Sequence, residues 1–269
     1  MKKRSLLIIP AIAALGTAFL IAPEKPSRSK AAPFYGRNIA HRGLHTKDGV
    51  TPENSIPAFS AAAALGYGAE LDVHLTLDNK VVVFHDDDLS RMCGDSRKIE
   101  DLLYAELKQI RLGDTDLKIP LLSEVLPVLN GAPVILEIKR GRRNSLLCSL
   151  ALSQIRAYPG PVCVESFDPT IVRWFRKNAP EYLRGQLACP SEDVKGVPKI
   201  AAFALSHLLT NAYSRPNFVA YKIGKKPLTV KLCEKMGAMK VAWTSQSAAN
   251  ERKNDTVIFE NYLPAVRFK

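Results

Sequence analysis

Residues 69–76 read AELDVHLT, and the alternation of apolar and polar side chains in this stretch predicts a β-strand. Successive side chains of a strand point to opposite faces, so Glu70 and Asp72 are expected on the same face. Acidic residues are unfavourable inside strands, because such positions are normally half-buried or buried. Two carboxylates on one face therefore indicate a functional site rather than simple packing.

Further short runs rich in aliphatic residues predict strands at 38–40, 81–84, 133–138, 161–166, 183–188, 218–221 and 241–244. Amphipathic patterns between them predict helices at 56–65, 99–110, 123–129, 145–157, 170–178 and 229–236. Strands that alternate with helices are typical of parallel strands joined by helical crossovers. Eight such strands, without a G-x-G-x-x-G motif after the first, predict an α/β fold of the TIM (β/α)8 barrel type rather than a Rossmann sheet.

The composition excludes several classes of protein. The chain has 269 residues, a formal net charge of +12, 46% hydrophobic residues and 24% charged residues, which excludes a disordered or collagen-like protein. The positive charges are dispersed and lack interleaved aromatic residues, which disfavours nucleic acid as a partner. Five scattered cysteines without a C-x-x-C pair disfavour a disulfide scaffold and a zinc site.

The N-terminal residues differ from the rest of the chain. Basic residues 2–4 precede an uncharged, apolar run over residues 5–23, close to the roughly 20 residues that cross a bilayer core. We interpret residues 1–23 as a transmembrane anchor or a cleaved signal segment, residues 24–35 as a tether, and residues 36–269 as the barrel. The leading cations favour an extracytoplasmic barrel anchored to the membrane. The alternatives are secretion after cleavage and a cytoplasmic-facing domain, which the dispersed thiols would suit.

Three carboxylates are expected to meet in the mouth of this barrel, where functional side chains lie. Glu137 is near the end of its predicted strand, and it would join Glu70 and Asp72. Such neighbours raise one another's pKa, and a divalent cation bound through oxygen, Ca²⁺ or Mg²⁺, would relieve the conflict. The alternative is that Glu137 pairs with Lys139 or Arg42 and that Asp72 caps a loop.

Two histidines and two cations also follow predicted strands. His41 and His85 are candidates for general acid–base catalysis, because imidazole titrates near neutral pH; the alternative is a structural role. Arg42 and Lys139 could hold a phosphate group. This combination suits phosphoryl-ester cleavage. The absence of a G-x-x-x-x-G-K-[ST] motif disfavours nucleoside triphosphates.

A series of motifs runs along the chain after the tether: IAHRG (39–43), PENSIPAF (52–59), ELDVHLT (70–76), VVFHDDDLSRMCG (82–94), IPLLSEVL (119–126), LEIK (136–139), ESFDP (165–169), RGQL (184–187) and VAWT (241–244). In this order and spacing, the motifs resemble those of the glycerophosphodiester phosphodiesterase family (GDPD domain). Two stretches depart from the family pattern. Residues 243–246 read WTSQ where W-T-V-N is common, and residues 257–261 read VIFEN where I-I-T-D-x-P is common.

The resemblance implies a TIM barrel with a divalent cation, Ca²⁺ or Mg²⁺. It implies the following roles: metal ligands Glu70, Asp72 and Glu137; a general acid–base pair, His41 and His85; phosphate contacts from Arg42 and Lys139; and substrate contacts from Glu53 and Trp243. The implied reaction cleaves a small-molecule glycerophosphodiester, such as glycerophosphocholine or glycerophosphoethanolamine, into sn-glycerol 3-phosphate and an alcohol. Two alternatives are a phospholipase C- or D-like barrel that acts on intact lipids, and a catalytically silent module that binds anionic headgroups.

Overall fold

The computed structural model describes residues 14–269, and within them the strands form a closed parallel barrel. The strands are β1 (Arg37–Ala40), β2 (Gly68–Leu75), β3 (Val81–Val83), β4 (Val134–Ile138), β5 (Val162–Ser166), β6 (Leu183–Ala188), β7 (Phe218–Lys222), β8 (Met239–Ser245) and β9 (Thr256–Phe259). All except β3 pair in parallel in the circular order β1, β2, β4, β5, β6, β7, β8, β9 and back to β1. The predicted (β/α)8 barrel is confirmed.

Two strands differ from the sequence-based expectation. The stretch predicted at 81–84 forms β3, which pairs antiparallel with β2 and lies outside the barrel. The link between β2 and β3 is too short for the crossover that parallel pairing requires, so only a hairpin can form. The eighth barrel strand is β9, which the sequence reading did not predict. It pairs with β1 and β8 and closes the barrel.

Helices surround the barrel and connect its strands. The longer ones are α1 (Ile56–Ala64), α2 (Leu122–Val128), α3 (Asn144–Arg156), α4 (Pro169–Asn178), α5 (Lys199–Ser206) and α6 (Leu228–Lys235). Short α-helical segments occur at Arg28–Ala31, Ser90–Cys93, Tyr104–Leu107 and Asn211–Ser214, and 3₁₀ segments at Ile99–Asp101 and Ala248–Lys253. The helix predicted at 99–110 is thus two short segments, because the backbone at Leu102 is extended. Helix α5 was not predicted.

Much of the barrel interior is apolar. Ile39, Ile135, Cys163 and Leu183 lie there in one buried cluster with Phe218. On β2 and β4 the other face packs against the helices, through the cluster that contains Leu71, Val73 and Leu136. Inward positions of β2 and β4 carry polar groups instead: Glu70 and Asp72 on β2, and Glu137 on β4.

The segment predicted as a tether contacts the barrel. Phe34 is buried in the apolar cluster of the barrel interior, and Glu24 lies 2.6 Å from the guanidinium of Arg184 at the start of β6. Before it, residues 14–21 are helical, and Ile21 is buried. The first 13 residues of the predicted anchor or signal segment lie outside the described residues. Across residues 14–269, no helix combines the length and apolar character needed to span a membrane.

Candidate active site

Glu70 and Asp72 on β2 meet Glu137 on the neighbouring strand β4. Asp72 is in register with Glu137, and the alternation of β2 puts Glu70 on the same inward face. One oxygen of each carboxylate lies within 4.8 Å of the other two, and all three side chains are buried. The structure therefore brings together the three predicted ligands as a group that could hold a metal ion.

The three carboxylates have strongly perturbed pKa values. Burial raises the pKa of Glu70 well above its usual range, and the charges of Asp72 and Glu137 raise it further. Burial also raises the pKa of Glu137, against the opposing charge of Lys139. Burial acts in the same direction on Asp72, but Lys139, His85 and Arg42 outweigh it and leave its pKa well below normal. A hard cation fits this crowded set of oxygen donors, because it would favour the ionised form of all three.

Arg42 and Lys139 flank the carboxylates. Nζ of Lys139 lies 2.9 Å from Oε1 of Glu137 and 3.3 Å from Oδ1 of Asp72. Nη1 of Arg42 donates to Oε1 of Glu53 at 2.7 Å, and its Nε lies 3.5 Å from Oδ2 of Asp72. The ion pair between Glu137 and Lys139 that the sequence offered as an alternative is thus present within the same cluster.

A tight turn after β1 positions Arg42. Both Arg42 and Gly43 have positive φ, 53° and 79° respectively, and the backbone N–H of Arg42 donates to Oε2 of Glu70 at 3.1 Å. A Cβ at Gly43 would lie 2.8 Å from the backbone carbonyl carbon of Ala58 in α1. The HRG motif therefore requires glycine for its backbone conformation and for close approach to α1.

His41 is oriented by a carboxylate that the sequence reading did not identify as functional. Its Nδ1 lies 2.8 Å from Oε2 of Glu260, and its Nε2 lies 3.9 Å from Oε2 of Glu70. Burial lowers the pKa of His41, although the hydrogen bond with Glu260 raises it in part. The same hydrogen bond lowers the pKa of Glu260 to about 2. Glu260 directly follows β9, so recognising that strand would have placed Glu260 among the strand-end residues.

His85 belongs to a chain of ion pairs that reaches Arg42. Its Nδ1 lies 2.6 Å from Oδ1 of Asp86. Arg91 donates from Nε to Oδ2 of Asp86 at 2.6 Å and from Nη2 to Oε1 of Glu53 at 2.6 Å. The same oxygen of Glu53 accepts from Arg42. Glu53 therefore holds Arg42 in place. Arg91 links Glu53 to Asp86, and so connects Arg42 with His85. Arg91 was not singled out from the sequence, although it lies in the VVFHDDDLSRMCG motif.

Two further polar groups are buried beside this cluster. Nε2 of His74 lies 3.2 Å from the carbonyl oxygen of His85, so His74 supports the backbone there. Glu165 on β5 is in register with Glu137, and its Oε2 has no hydrogen-bond partner among the described residues. Burial raises the pKa of Glu165 well above its usual range, and the charge of Glu137 adds to this effect. Glu165 was also missed, although it occupies an inward position in the ESFDP motif.

Trp243 lies in a different part of the mouth from the carboxylates. Its Nε1 donates to the carbonyl of Ala220 at 2.9 Å, and its ring packs edge-to-face on Phe167, with centroids 5.7 Å apart. Together with Leu187, these aromatic rings line a cavity of about 540 Å³ at the C-terminal ends of β5 to β8. Glu70, Asp72 and Glu137 are not among the described residues that line this cavity.

The described chain matches one protein family over most of its length. Residues 41–260 match the family model of the glycerophosphoryl diester phosphodiesterase family. Lysophospholipase D GDPD1 of Rattus norvegicus is 35% identical over 159 residues, which cover 54% of this chain and 49% of that protein. The chain thus spans about half the length of the curated relatives of this type.

Two other relatives carry related names. A glycerophosphodiester phosphodiesterase of Caldanaerobacter subterraneus subsp. tengcongensis is 32% identical over 161 residues, which cover 55% of this chain and 65% of that protein. A phosphodiesterase of Oleispira antarctica, solved in complex with the product sn-glycerol-3-phosphate, has a TM-score of 0.68 and 24% identity. That comparison covers 85% of this chain and 94% of the other, and it shows a shared fold.

Proposed function

The chain belongs to the glycerophosphoryl diester phosphodiesterase family, and we propose that it hydrolyses glycerophosphodiesters to sn-glycerol 3-phosphate and an alcohol. Glycerophosphocholine and glycerophosphoethanolamine are suitable substrates to test. The observation that carries this proposal is the buried group of three carboxylates, flanked by Arg42 and Lys139 and by two imidazoles that each contact a carboxylate.

We propose that Glu70, Asp72 and Glu137 hold Ca²⁺ or Mg²⁺. Their oxygens are the ligand type that hard divalent cations prefer, and burial together with like-charge crowding raises the pKa of Glu70. When bound, such a cation would supply positive charge against the phosphate oxygens.

Arg42 and Lys139 would bind the phosphate group. The guanidinium of Arg42 is fixed by Glu53 on one side and by the turn at Gly43 on the other. The ammonium of Lys139 is fixed by Glu137 and Asp72. Because both cations are held before substrate arrives, little reorganisation is needed when negative charge develops on phosphate oxygens.

His41 and His85 would transfer the protons of the reaction. One imidazole takes the proton of the attacking hydroxyl, and the other protonates the departing alkoxide oxygen. The attacking group is water, or it is the 2-hydroxyl of glycerol, which would form a cyclic phosphate that water then opens to glycerol 3-phosphate. Since Glu260 and Asp86 each contact Nδ1, the Nε2 atoms are the ones available for this transfer. The carboxylates also stabilise the imidazolium that forms when Nε2 accepts a proton.

The decisive test is release of glycerol 3-phosphate from a panel of glycerophosphodiesters, with EDTA or with added Ca²⁺ or Mg²⁺. We expect cation-dependent turnover that His41→Ala and His85→Ala each reduce by ~10²–10⁴-fold. His207→Ala is the matched control, because His207 packs on Phe203 in the helical layer away from the carboxylates. Full turnover in EDTA would contradict a requirement for a divalent cation. Full turnover of His41→Ala or His85→Ala would contradict the catalytic role of that histidine.

A second candidate is cleavage of a lipid-bearing diester, such as a lysophospholipid. The apolar cavity beside Trp243 favours it, since that cavity could accept a hydrocarbon substituent. The rat relative is also named a lysophospholipase D. Turnover of lysophosphatidylcholine, glycerophosphocholine and intact phospholipid vesicles should be compared at equal diester concentration. A preference for the soluble diester over both lipids would exclude this candidate.

We also propose that residues 1–23 anchor the protein to a membrane, with the barrel outside the cytoplasm. The support is the apolar run over residues 5–23 and the basic residues before it. Membrane fractionation, protease protection and the mass of the purified N-terminus would test this proposal. An N-terminus that lacks residues 1–23 would contradict it. Protection of the barrel from a protease added outside intact cells would also contradict it.

A further inference from the structure

We propose that one side of the barrel mouth docks onto an anionic lipid surface. This side consists of α5, α6 and the loops that lead into them from β6 and β7, and we call it the α5–α6 face. Its most exposed apolar residues are Ile200, Phe203 and Leu228. Its exposed cations include Lys195, Lys199, Lys225 and Lys231. None of these residues belongs to the proposed reaction site.

Large apolar side chains are exposed at the rim of the mouth. Ile200, the second residue of α5, is 85% exposed, and Leu228, the first residue of α6, is 70% exposed. Phe203 is half-exposed one turn further along α5. Because β6 and β7 are neighbouring strands, the segments that lead from them into α5 and α6 leave the barrel at the same end, its mouth. Single exposed apolar residues are ordinary, but several that follow neighbouring strands indicate an interaction surface.

The charges of this face are mainly positive. Asp193 pairs with Lys222 at 2.7 Å, and Glu234 pairs with Lys226 at 2.5 Å, so these acids are already neutralised. The exposed Glu192 is the remaining acidic side chain on the segments 189–206 and 222–235. The same segments carry several lysines that form no ion pair within residues 14–269, among them Lys195, Lys199, Lys225 and Lys231. Apolar side chains surrounded by lysines complement an anionic bilayer surface.

The N-terminal segment packs against α6 and against residues that precede β7, at the end of the barrel opposite the mouth. Ile21 is buried in one cluster with Val230 of α6. Arg215 donates to the carbonyl of Phe19 at 2.9 Å, and its guanidinium lies over the Phe19 ring, 4.6 Å from the centroid. Leu15 and Phe19 themselves are exposed. We therefore do not count these two residues in the α5–α6 face.

The cavity beside Trp243 connects the barrel mouth to this face. Its lining extends from Phe167 and Trp243 to Leu205 of α5 and Lys195. Docking would bring the lipid surface to this cavity. A second copy of the chain is the less suitable occupant, because a symmetric contact would bring the same lysines together.

The test is co-sedimentation of the full chain with phosphatidylcholine vesicles, with and without phosphatidylglycerol. The test variant is Ile200→Ser/Leu228→Ser. The matched control is Leu65→Ser/Leu263→Ser, which removes leucines that are 54% and 68% exposed elsewhere. All three proteins keep residues 1–23, so any difference in vesicle binding between them arises from the substituted residues. We expect the test variant to bind anionic vesicles about tenfold or more weakly, and the control to bind like the unmodified protein.

The charge component is tested separately. Each of Lys199→Glu, Lys225→Glu and Lys231→Glu should weaken binding to anionic vesicles about fivefold or more, and added salt should reduce the difference. Equal binding of the test and control variants would overturn the proposal. Equal binding to both vesicle types would also overturn it. So would a change of oligomeric state in the test variant without vesicles, because it would assign the face to a second copy.

The soluble-substrate assay keeps this proposal distinct from the proposed function. Turnover of glycerophosphocholine should be the same in the unmodified protein, the test variant and the control. Loss of vesicle binding with unchanged turnover supports the docking face. Absence of turnover in all three proteins would contradict the proposed hydrolysis and leave the binding comparison intact.

Discussion

Nδ1 of His41 lies 2.8 Å from Oε2 of Glu260, although the two residues are more than 200 positions apart in the sequence. This contact leaves Nε2 as the ring nitrogen on the side of Glu70. Gln246 donates to the other oxygen of Glu260 at 3.1 Å, so the carboxylate itself is held in place. The closing strand β9 therefore orients an imidazole that follows the opening strand β1.

Replacing Glu260 should reduce catalysis without removing the imidazole. Glu260→Gln retains an acceptor for Nδ1–H but loses the charge that stabilises the imidazolium. We expect kcat to fall, by less than the ~10²–10⁴-fold loss expected for His41→Ala. Steady-state kinetics of Glu260→Gln, Glu260→Ala and the exposed control Glu192→Gln would measure this. Unchanged kcat in both Glu260 variants would show that the contact has no catalytic effect.

The same contact should make stability depend on pH. The pKa of Glu260 is lowered to about 2, mainly by its hydrogen bond with His41. A carboxyl whose pKa is lower in the folded state stabilises the protein above its unfolded pKa, and this stabilisation is lost as the pH falls toward the folded value. The Tm difference between the unmodified protein and Glu260→Gln should be full above pH ~5 and should disappear toward pH ~2. Thermal unfolding across this range would measure it, and a difference that grew with acidification would contradict it.

Arg91 should act as a positioning residue for His85 and Arg42. Its guanidinium contacts Asp86 and Glu53 together, a geometry that the single ammonium of lysine cannot reproduce. We expect Arg91→Lys to lower kcat with little change in Tm. Arg97→Lys is the control, because Arg97 has nearly the same exposure, 50% against 47%, and pairs with Asp95 outside the site.

A double-mutant cycle separates positioning from a structural effect. If Arg91 acts through His85, Arg91→Lys should reduce kcat much less in a His85→Ala background than in the unmodified protein. Additive losses in kcat would show instead that Arg91 acts independently of His85.

Divalent cations should stabilise the protein through the three carboxylates. At a free cation concentration of about 100 Kd, binding should add ~2.7 kcal/mol to the free energy of unfolding and raise Tm, and EDTA should reverse the effect. Glu137→Gln should abolish this response. Glu165→Gln is the matched control, because Glu165 is an equally buried carboxyl on the next strand that lies outside the group of three. Loss of the response in Glu165→Gln alone would contradict the assignment of ligands.

Gly43 should be more sensitive to substitution than Gly49. Both have positive φ, 79° and 76°, so Gly43→Ala and Gly49→Ala carry a similar conformational cost of ~1–2 kcal/mol. Only at Gly43 would the new Cβ meet α1, whereas space around Gly49 is open. We expect Gly43→Ala to lose a further ~1–3 kcal/mol and to displace Arg42. Urea unfolding of both variants would measure the difference, and equal destabilisation would contradict a close contact with Ala58.

Local sequence patterns were sufficient for most of the barrel. Alternation along 69–76 predicted β2 and the shared face of Glu70 and Asp72, and the runs at 133–138 and 183–188 predicted β4 and β6. These predictions succeeded because side-chain alternation and helical periodicity follow from backbone geometry over a few residues. The same reasoning misassigned 81–84 as a barrel strand, because an apolar run does not indicate which neighbour a strand pairs with.

The sequence by itself determined the barrel type. It also predicted candidate site residues, including His41, His85 and the three carboxylates, from residue type at strand ends and from the order of the motifs. Only the tertiary structure decided how they are connected. The pairing of β9 with β1 brings Glu260 to His41, and the loop after β3 brings Arg91 to Glu53. These contacts join residues far apart in the chain, so they depend on barrel closure and loop packing rather than on any local pattern.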